Sequence, residues 1–296
     1  MARYGFDLSQ KNKAPKKRNV GLVCVFLCFV VVLFSVSLLL LYRYYNYDLN
    51  NIWVRGDVTT TSVVTTTDVA ENEYEGEYVF LVSVISDDKK QALFHNLICV
   101  DLAEKTFRVV PVDGGLADYA TGLTCDELLV KNGVKSLVAF LSEYYATPVT
   151  RYVLLTESGY KSFFRTMGDI TIKINEDVSY DTEDMFLELN RGENILTPDK
   201  TYKYMKYICE TRGGYERAKA NAEIIVAAFN AYYTADRFNS ADSTFAVIID
   251  YCTTDISIVD FTNAKDELKY LIPKTTKEKL KVFVSDNIRS ELNADE

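Results

Sequence analysis

The chain has a single histidine, His95, in 296 residues. That scarcity excludes a multi-histidine zinc site and argues against Ser-His-Asp or Cys-His nucleophilic catalysis. No glycine-rich phosphate loop of the Walker or dinucleotide-binding kind is present either. Cysteines are few: Cys24 and Cys28 lie in an N-terminal apolar run, leaving Cys99, Cys125, Cys209 and Cys252 for everything that follows. Four in so long a stretch do not make a disulfide scaffold. Cys99 and Cys252 sit among apolar neighbours and read as small buried hydrophobes, and the sequence leaves the pairing state of all four open.

Charge of either sign is missing from one segment. Val20 to Tyr42 contains no Asp, Glu, Lys or Arg, and six cations, Arg3, Lys11, Lys13, Lys16, Lys17 and Arg18, precede it. At about 1.5 Å per residue the run is roughly 34 Å long, enough to cross a hydrocarbon core of roughly 30 Å. Cations on the leading side orient such a span with its N-terminus in the cytosol. A cleaved signal peptide would end its apolar region sooner, at small residues, whereas Leu38-Leu39-Leu40-Leu41 leads into Tyr42-Arg43-Tyr44-Tyr45. Bulky Leu27 before Cys28 argues against a lipoprotein anchor. The expectation is a cell-membrane protein with a basic cytosolic tail (1–19), one transmembrane helix (20–42) and the remainder extracytoplasmic. Only one of the 42 acids, Asp7, precedes the span. The remainder is therefore strongly acidic, which disfavours nucleic acid as a partner.

Residues 43–76 read as a linker, with an aromatic collar (Tyr42, Tyr44, Tyr45, Tyr47, Trp53), then threonine runs and acids without apolar period. A folded domain is expected from Glu77. Tyr78–Ile85 is a continuous apolar run, as in a strand buried on both faces. Leu93–Leu102 and Thr106–Val112, joined by Ala103-Glu104-Lys105, predict a hairpin. Thr124 to Glu127 has capping-box spacing and predicts a short helix. Val134, Leu137, Val138, Leu141 and Tyr145 mark one face of the next. Tyr152–Leu155 predicts a strand, Ser158–Met167 a helix stopped at Gly168, and the alternation of Ile170, Ile172 and Ile174 a half-buried strand. Thr197 before Pro198 predicts an N-cap with proline at the first helical position. The longest helix is expected over 216–235, a helical spacing at 245–252 that competes with the strand propensity of Val247-Ile248-Ile249, a further turn and helix over 254–271, and a charged amphipathic helix over 276–292. The resulting fold class is α/β: a single extracytoplasmic domain, its central mixed sheet covered by helices on both faces, over 77–275, with a C-terminal amphipathic helix and tail over 276–296.

Against that framework several stretches resemble the LytR-CpsA-Psr family of envelope proteins, the cell envelope-related transcriptional attenuator domain. They are Tyr78–Ile85, Leu93–Asp101, and Val109-Val110-Pro111-Val112-Asp113, which resembles Ser-Ile-Pro-Arg-Asp. The middle of the chain adds Tyr152-Val153, Gly159-Tyr160 and Gly168-Asp169-Ile170. Gly192, Leu196 and Tyr204-Met205-Lys206-Tyr207-Ile208 followed by Arg217-Ala218-Lys219-Ala220-Asn221 resemble Tyr-x-Arg-x-Arg and then Arg-x-x-Arg-Gln. Thr253-Thr254-Asp255-Ile256-Ser257 is similar to a Thr-Asn-Leu-Ser element. The resemblance implies a protein that binds a polyprenyl-pyrophosphate-linked glycopolymer, seats magnesium on acids and the pyrophosphate on arginines, and transfers the polymer with a phosphate to peptidoglycan.

The charged set that this chemistry needs is mostly replaced. Ile85 and Leu93 stand where the resemblance puts magnesium-seating acids, so no cofactor is expected. Val112, Ile208 and Ala220 stand for arginines and Lys206 for another, with loss of the bidentate fork. The candidate pyrophosphate or anion site that survives is Lys206, Arg217, Asn221, Asp113 and Arg212, and no catalytic residue is assigned. Loss of one charge-stabilising donor commonly costs about 3 to 4 kcal/mol at the transition state. The expectation is accordingly a membrane-anchored protein of wall glycopolymer assembly that binds a polyprenyl-phosphate-linked ligand or wall polymer, or partners an active paralogue, with the transfer chemistry largely lost. Two alternatives stand beside it: an active phosphotransferase with shifted site residues, and a surface scaffold or adhesion module without a ligand.

Overall fold

The computed structural model describes residues 74–274 and 280–288. The basic tail 1–19 expected to be cytosolic, the expected span 20–42 and nearly all of the expected linker lie outside the described residues. Among the described residues no helix is long and apolar enough to cross a membrane.

The apolar run that opens the domain becomes β1 (Glu77–Ile85), the middle of the main sheet. It pairs antiparallel with β2 (Ala92–Asp101) and parallel with β4 (Arg151–Thr156). Strands flanked on both sides and covered on both faces read as unbroken Val/Ile/Leu runs, which is why a continuous apolar stretch, not an alternation, locates them. Beyond β2 lies its hairpin partner β3 (Thr106–Val112), and Lys105 takes a left-handed φ of 52° in the tight connection. The edge positions belong to β9 (Cys252–Thr254), antiparallel to β4, and β10 (Lys281–Val284), parallel to β3. The order is thus β10-β3-β2-β1-β4-β9, a mixed sheet.

One face packs on α1 (Cys125–Asn132) and α2 (Val134–Tyr144), with Leu81, Leu97, Val110 and Val112 meeting Leu129, Leu137 and Leu141. Both halves of the Thr124/Glu127 capping box are formed at α1. The opposite face packs on α3 (Glu157–Met167), α4 (Pro198–Thr211) and α5 (Gly214–Tyr232), where Val84, Leu93 and Phe94 meet Tyr160, Met205, Ile208 and Ile224. Gly168 ends α3 at φ 99°, a conformation glycine adopts without a Cβ penalty. Two small ladders extend this layer: β5 (Ile170–Ile174) with β8 (Gly192–Leu196), and β6 (Val178–Asp181) with β7 (Phe186–Leu189). Four short helices follow: α6 (Ala235–Phe238), α7 (Ala241–Ile248), α8 (Ile258–Asn263) and α9 (Lys265–Tyr270).

The mixed α/β class with a central mixed sheet holds. The C-terminal segment differs from its predicted helix. Residues 281–284 form β10, with Val282 and Val284 turned partly inward and Lys281 and Phe283 outward. The two-residue alternation of a Val-Phe-Val core and the unpaired edge of β3 outweigh the helical charge pattern there. Ser285 N–H continues the ladder to Val109 O at 3.0 Å, and the buried Arg108 donates to Ile288 O at 3.2 Å.

Candidate functional site

Where β3 ends, the chain turns through Asp113-Gly114-Gly115 and passes the N-termini of α1 and α5. Arg217, on the first turn of α5, directs Nη2 to Asp126 Oδ2 at 2.7 Å. The other carboxylate oxygen of Asp126 lies 3.0 Å from His95 Nε2, and His95 Nδ1 lies 2.9 Å from Ser83 Oγ. Ser83 and His95 are fully buried in adjacent strands. An ionised carboxylate only accepts, so Nε2 carries the proton towards Asp126; in the neutral ring Nδ1 then accepts from the Ser83 hydroxyl. Both oxygens of Asp126 are thus engaged. Burial works against its charge, but His95 and Arg217 outweigh that and hold the carboxyl below its ordinary value of 3.8.

Gly114 is what lets this pair form. A Cβ on it would stand 2.4 Å from Asp126 Oδ1 and 2.7 Å from Arg217 Nη2. The backbone also serves the pair, since Asp126 N–H donates to Gly114 O at 3.0 Å. Asp113 turns back on its own loop, its Oδ1 accepting from Gly115 N–H at 2.9 Å. Gly214, at φ 52°, faces the same carboxylate.

A second group gathers around Cys209 on α4. Its Sγ is 3.9 Å from Asn221 Nδ2 and 3.9 Å from Leu93 O, and the charges of Arg217 and Lys206 both act on it. Burial nevertheless pushes the thiol up to about 12. Asn221 is fully buried, donates to Arg217 O at 2.9 Å, and leaves Oδ1 without a protein partner. Lys206 pairs with Glu157 at 3.0 Å and Glu210 at 3.6 Å. Burial lowers its affinity for a proton, but Glu157 above all raises it further, so the ammonium is held charged. Arg212 stands apart and pairs with Glu176 at 2.8 Å. It lines a cavity of about 500 Å³ shared with Tyr204, Glu216, Lys219 and Glu223.

Asn221 thus touches both the Cys209 thiol and the backbone of Arg217, the charges of Lys206 and Arg217 reach that thiol, Asp113 lies beside the Gly114 turn, and Arg212 lines a cavity with Glu216 and Lys219. Sequence reasoning missed their partners. Asp126 lies inside the Thr124 to Glu127 capping-box stretch, Glu157 stands just before the predicted Ser158–Met167 helix, and His95 falls in the apolar Leu93–Leu102 run, where two hydrogen bonds satisfy it. No sequence signal showed that it led to Arg217.

The positions that the resemblance makes charged are core positions. Ile85, Leu93, Val112, Ile208 and Ala220 are between 0% and 5% exposed. Leu93 is the bulged residue of β2, skipped where Ile85 pairs with Ala92. Ile85 and Leu93 offer no side-chain oxygen to a hard cation, so these side chains do not fit a magnesium ion.

The model of the LytR_cpsA_psr family matches residues 117–290, more than half of the chain. The chain belongs to this family. The fold agrees with solved structures at low identity. A protein of Eubacterium siraeum described as a transcription regulator superposes with TM-score 0.61 at 17% identity, covering 76% of this chain and 90% of its own. TagV of B. subtilis gives TM-score 0.59 at 17% identity, covering 71% and 85%. TagT, also from B. subtilis and solved bound to LI-WTA, gives 0.51 at 12% identity, covering 71% and 78%. No curated protein matches the chain. As a LytR-CpsA-Psr domain the protein is placed in cell-wall glycopolymer assembly.

Proposed function

We propose that this LytR-CpsA-Psr domain acts in wall glycopolymer assembly by binding, at the outer face of the cell membrane, and does not perform the phosphotransfer. One observation carries this reading. Each candidate cation is already matched by a carboxylate of the same chain: Lys206 by Glu157, Arg212 by Glu176 and Arg217 by Asp126. Phosphotransfer needs cations free to take up charge that develops on the leaving pyrophosphate. Here the charge is cancelled before a ligand arrives, and aliphatic side chains fill the other positions of the set. A polyprenyl-phosphate-linked lipid held by its apolar chain, not by its phosphate at Arg217, or a wall polymer, remains a suitable ligand class. Val247, Ile258 and Val259 on α7 and α8 keep apolar surface exposed, and Phe245 stacks on Phe261 at 4.4 Å. The TagT complex with LI-WTA adds support by analogy of fold.

The test offers the purified protein a polyprenyl-pyrophosphate-linked glycan with magnesium and a peptidoglycan acceptor. Glycan transfer is expected to equal the no-protein control, while native mass spectrometry of the membrane-extracted protein shows retained polyprenyl phosphate. Magnesium-dependent transfer above control would overturn the reading in favour of an active enzyme. Absence of both transfer and retained lipid would favour the scaffold.

A further inference from the structure

We infer that Asp126 is a specificity-determining residue: held in place by His95 and Ser83, it acts as an internal anion that occupies Arg217 and keeps external phosphate-type anions off it. The inference rests on the reading that the domain binds without transfer, and it names the residue that decides which charge the site accepts. Three observations support it. The chain Ser83–His95–Asp126–Arg217 is continuous at 2.9, 3.0 and 2.7 Å. Its inner half is fully buried, so the Asp126 carboxylate is aimed from inside the protein and not from a mobile surface side chain. The outer half is seated on Gly114, where any Cβ would drive into both charged groups.

A carboxylate oxygen and a phosphate oxygen compete for the same guanidinium N–H; here Asp126 takes Nη2 of Arg217 with one oxygen and engages His95 with the other. The internal competitor has an entropic advantage because it is already positioned. With Asp126 in place, an incoming anion must displace a preorganised carboxylate or bind beside it against its repulsion. Neutral or cationic groups meet no such barrier. Neutralising Asp126 while preserving its shape should therefore convert the site to an anion binder.

The probe is inorganic pyrophosphate in metal-free buffer, titrated calorimetrically into the purified full chain. Asp126→Asn keeps an acceptor for His95 Nε2–H and removes the charge, and should tighten pyrophosphate binding by about tenfold or more over wild type. Asp126→Glu, which retains the charge, should bind as weakly as wild type. The double variant Asp126→Asn/Arg217→Gln should lose the gain. Gly114→Ala, which keeps both charges but parts them, should give a smaller gain, and it carries the test if Asp126→Asn fails to fold. Equal affinity of wild type and the charge-free or parted variants would overturn the inference, as would a gain that survives removal of Arg217. Neither outcome bears on transfer, so a wild-type enzyme that proved active would be recognised separately in the glycan assay.

Discussion

Ile208→Arg restores an arginine where the family pattern has one, and the structure says it should damage the fold. Ile208 is fully buried on α4, in the same apolar cluster as Leu93, Met205, Ala220 and Ile224. The substitution forfeits the burial of an isoleucine, about 1.5 to 3 kcal/mol. It also asks a guanidinium to leave water with no carboxylate assigned to it, a penalty of the order of the 3 to 5 kcal/mol seen when a buried charge loses its partner. Even with partial escape of the side chain to the surface, a loss of about 4 kcal/mol is expected. For a domain of roughly 200 residues, at about 2 to 4 °C per kcal/mol, Tm should fall by about 8 to 16 °C. Thermal and urea unfolding followed by circular dichroism measure this, with Ile208→Met as a near-isosteric control costing under about 1.5 kcal/mol. A drop in Tm smaller than about 3 °C would refute the reasoning, because it would mean that open, wet space lies beside Ile208 and that the family's ligand-binding position there is still usable.

Two further predictions concern charge inside the domain. Arg108 is 5% exposed, pairs with Glu77 and lies 3.8 Å from Asp101, so Arg108→Met should leave two carboxylates without their shared counter-ion. The expected cost at neutral pH is about 3 kcal/mol in urea unfolding, partly recovered by adding Glu77→Gln; a cost below about 1 kcal/mol would show the pair to be ornamental. Asp126 has its folded-state carboxyl below the ordinary 3.8, so its contribution is complete above that value and is lost as pH falls through the lower folded one. Stability against pH should accordingly fall more steeply below about pH 4 in wild type than in Asp126→Asn, and equal slopes would contradict the ion pair.

Much of the fold was legible because its signals are local. The Tyr78–Ile85 run, the Thr124 capping box, Pro198 after Thr197 and the isoleucine alternation at 170–174 each encode their structure within a few residues. What escaped depends on partners far along the chain. β10 exists because β3 offers an edge, and nothing in Lys281–Val284 announces that edge. The site divided in the same way. Lys206, Arg217 and Asn221 were picked out by pattern, whereas Glu157 and Asp126 pair with the two cations across separations that no motif spans.

Those two carboxylates also bear on how a charge-poor site stays folded. Ile208 and Ala220, which the resemblance sets against arginines, and Ile85 and Leu93, which it sets against acids, are core here, and a core is stable only if it excludes water. Cations left at its rim then face apolar surface on one side, where an unpaired charge is costly. Lys206 and Arg217 are 31% and 11% exposed at their side chains, so each needs a counter-charge that does not depend on a ligand being present. Glu157 and Asp126 supply it from the N-terminal turns of α3 and α1, where the helix ends themselves favour acids. Aliphatic replacement and internal pairing are then two parts of one change. On the binding-only reading proposed above, reverting either alone should not supply transfer: arginines returned to the core would be buried without partners, and cations freed at the rim would still lack the acids that seat a metal.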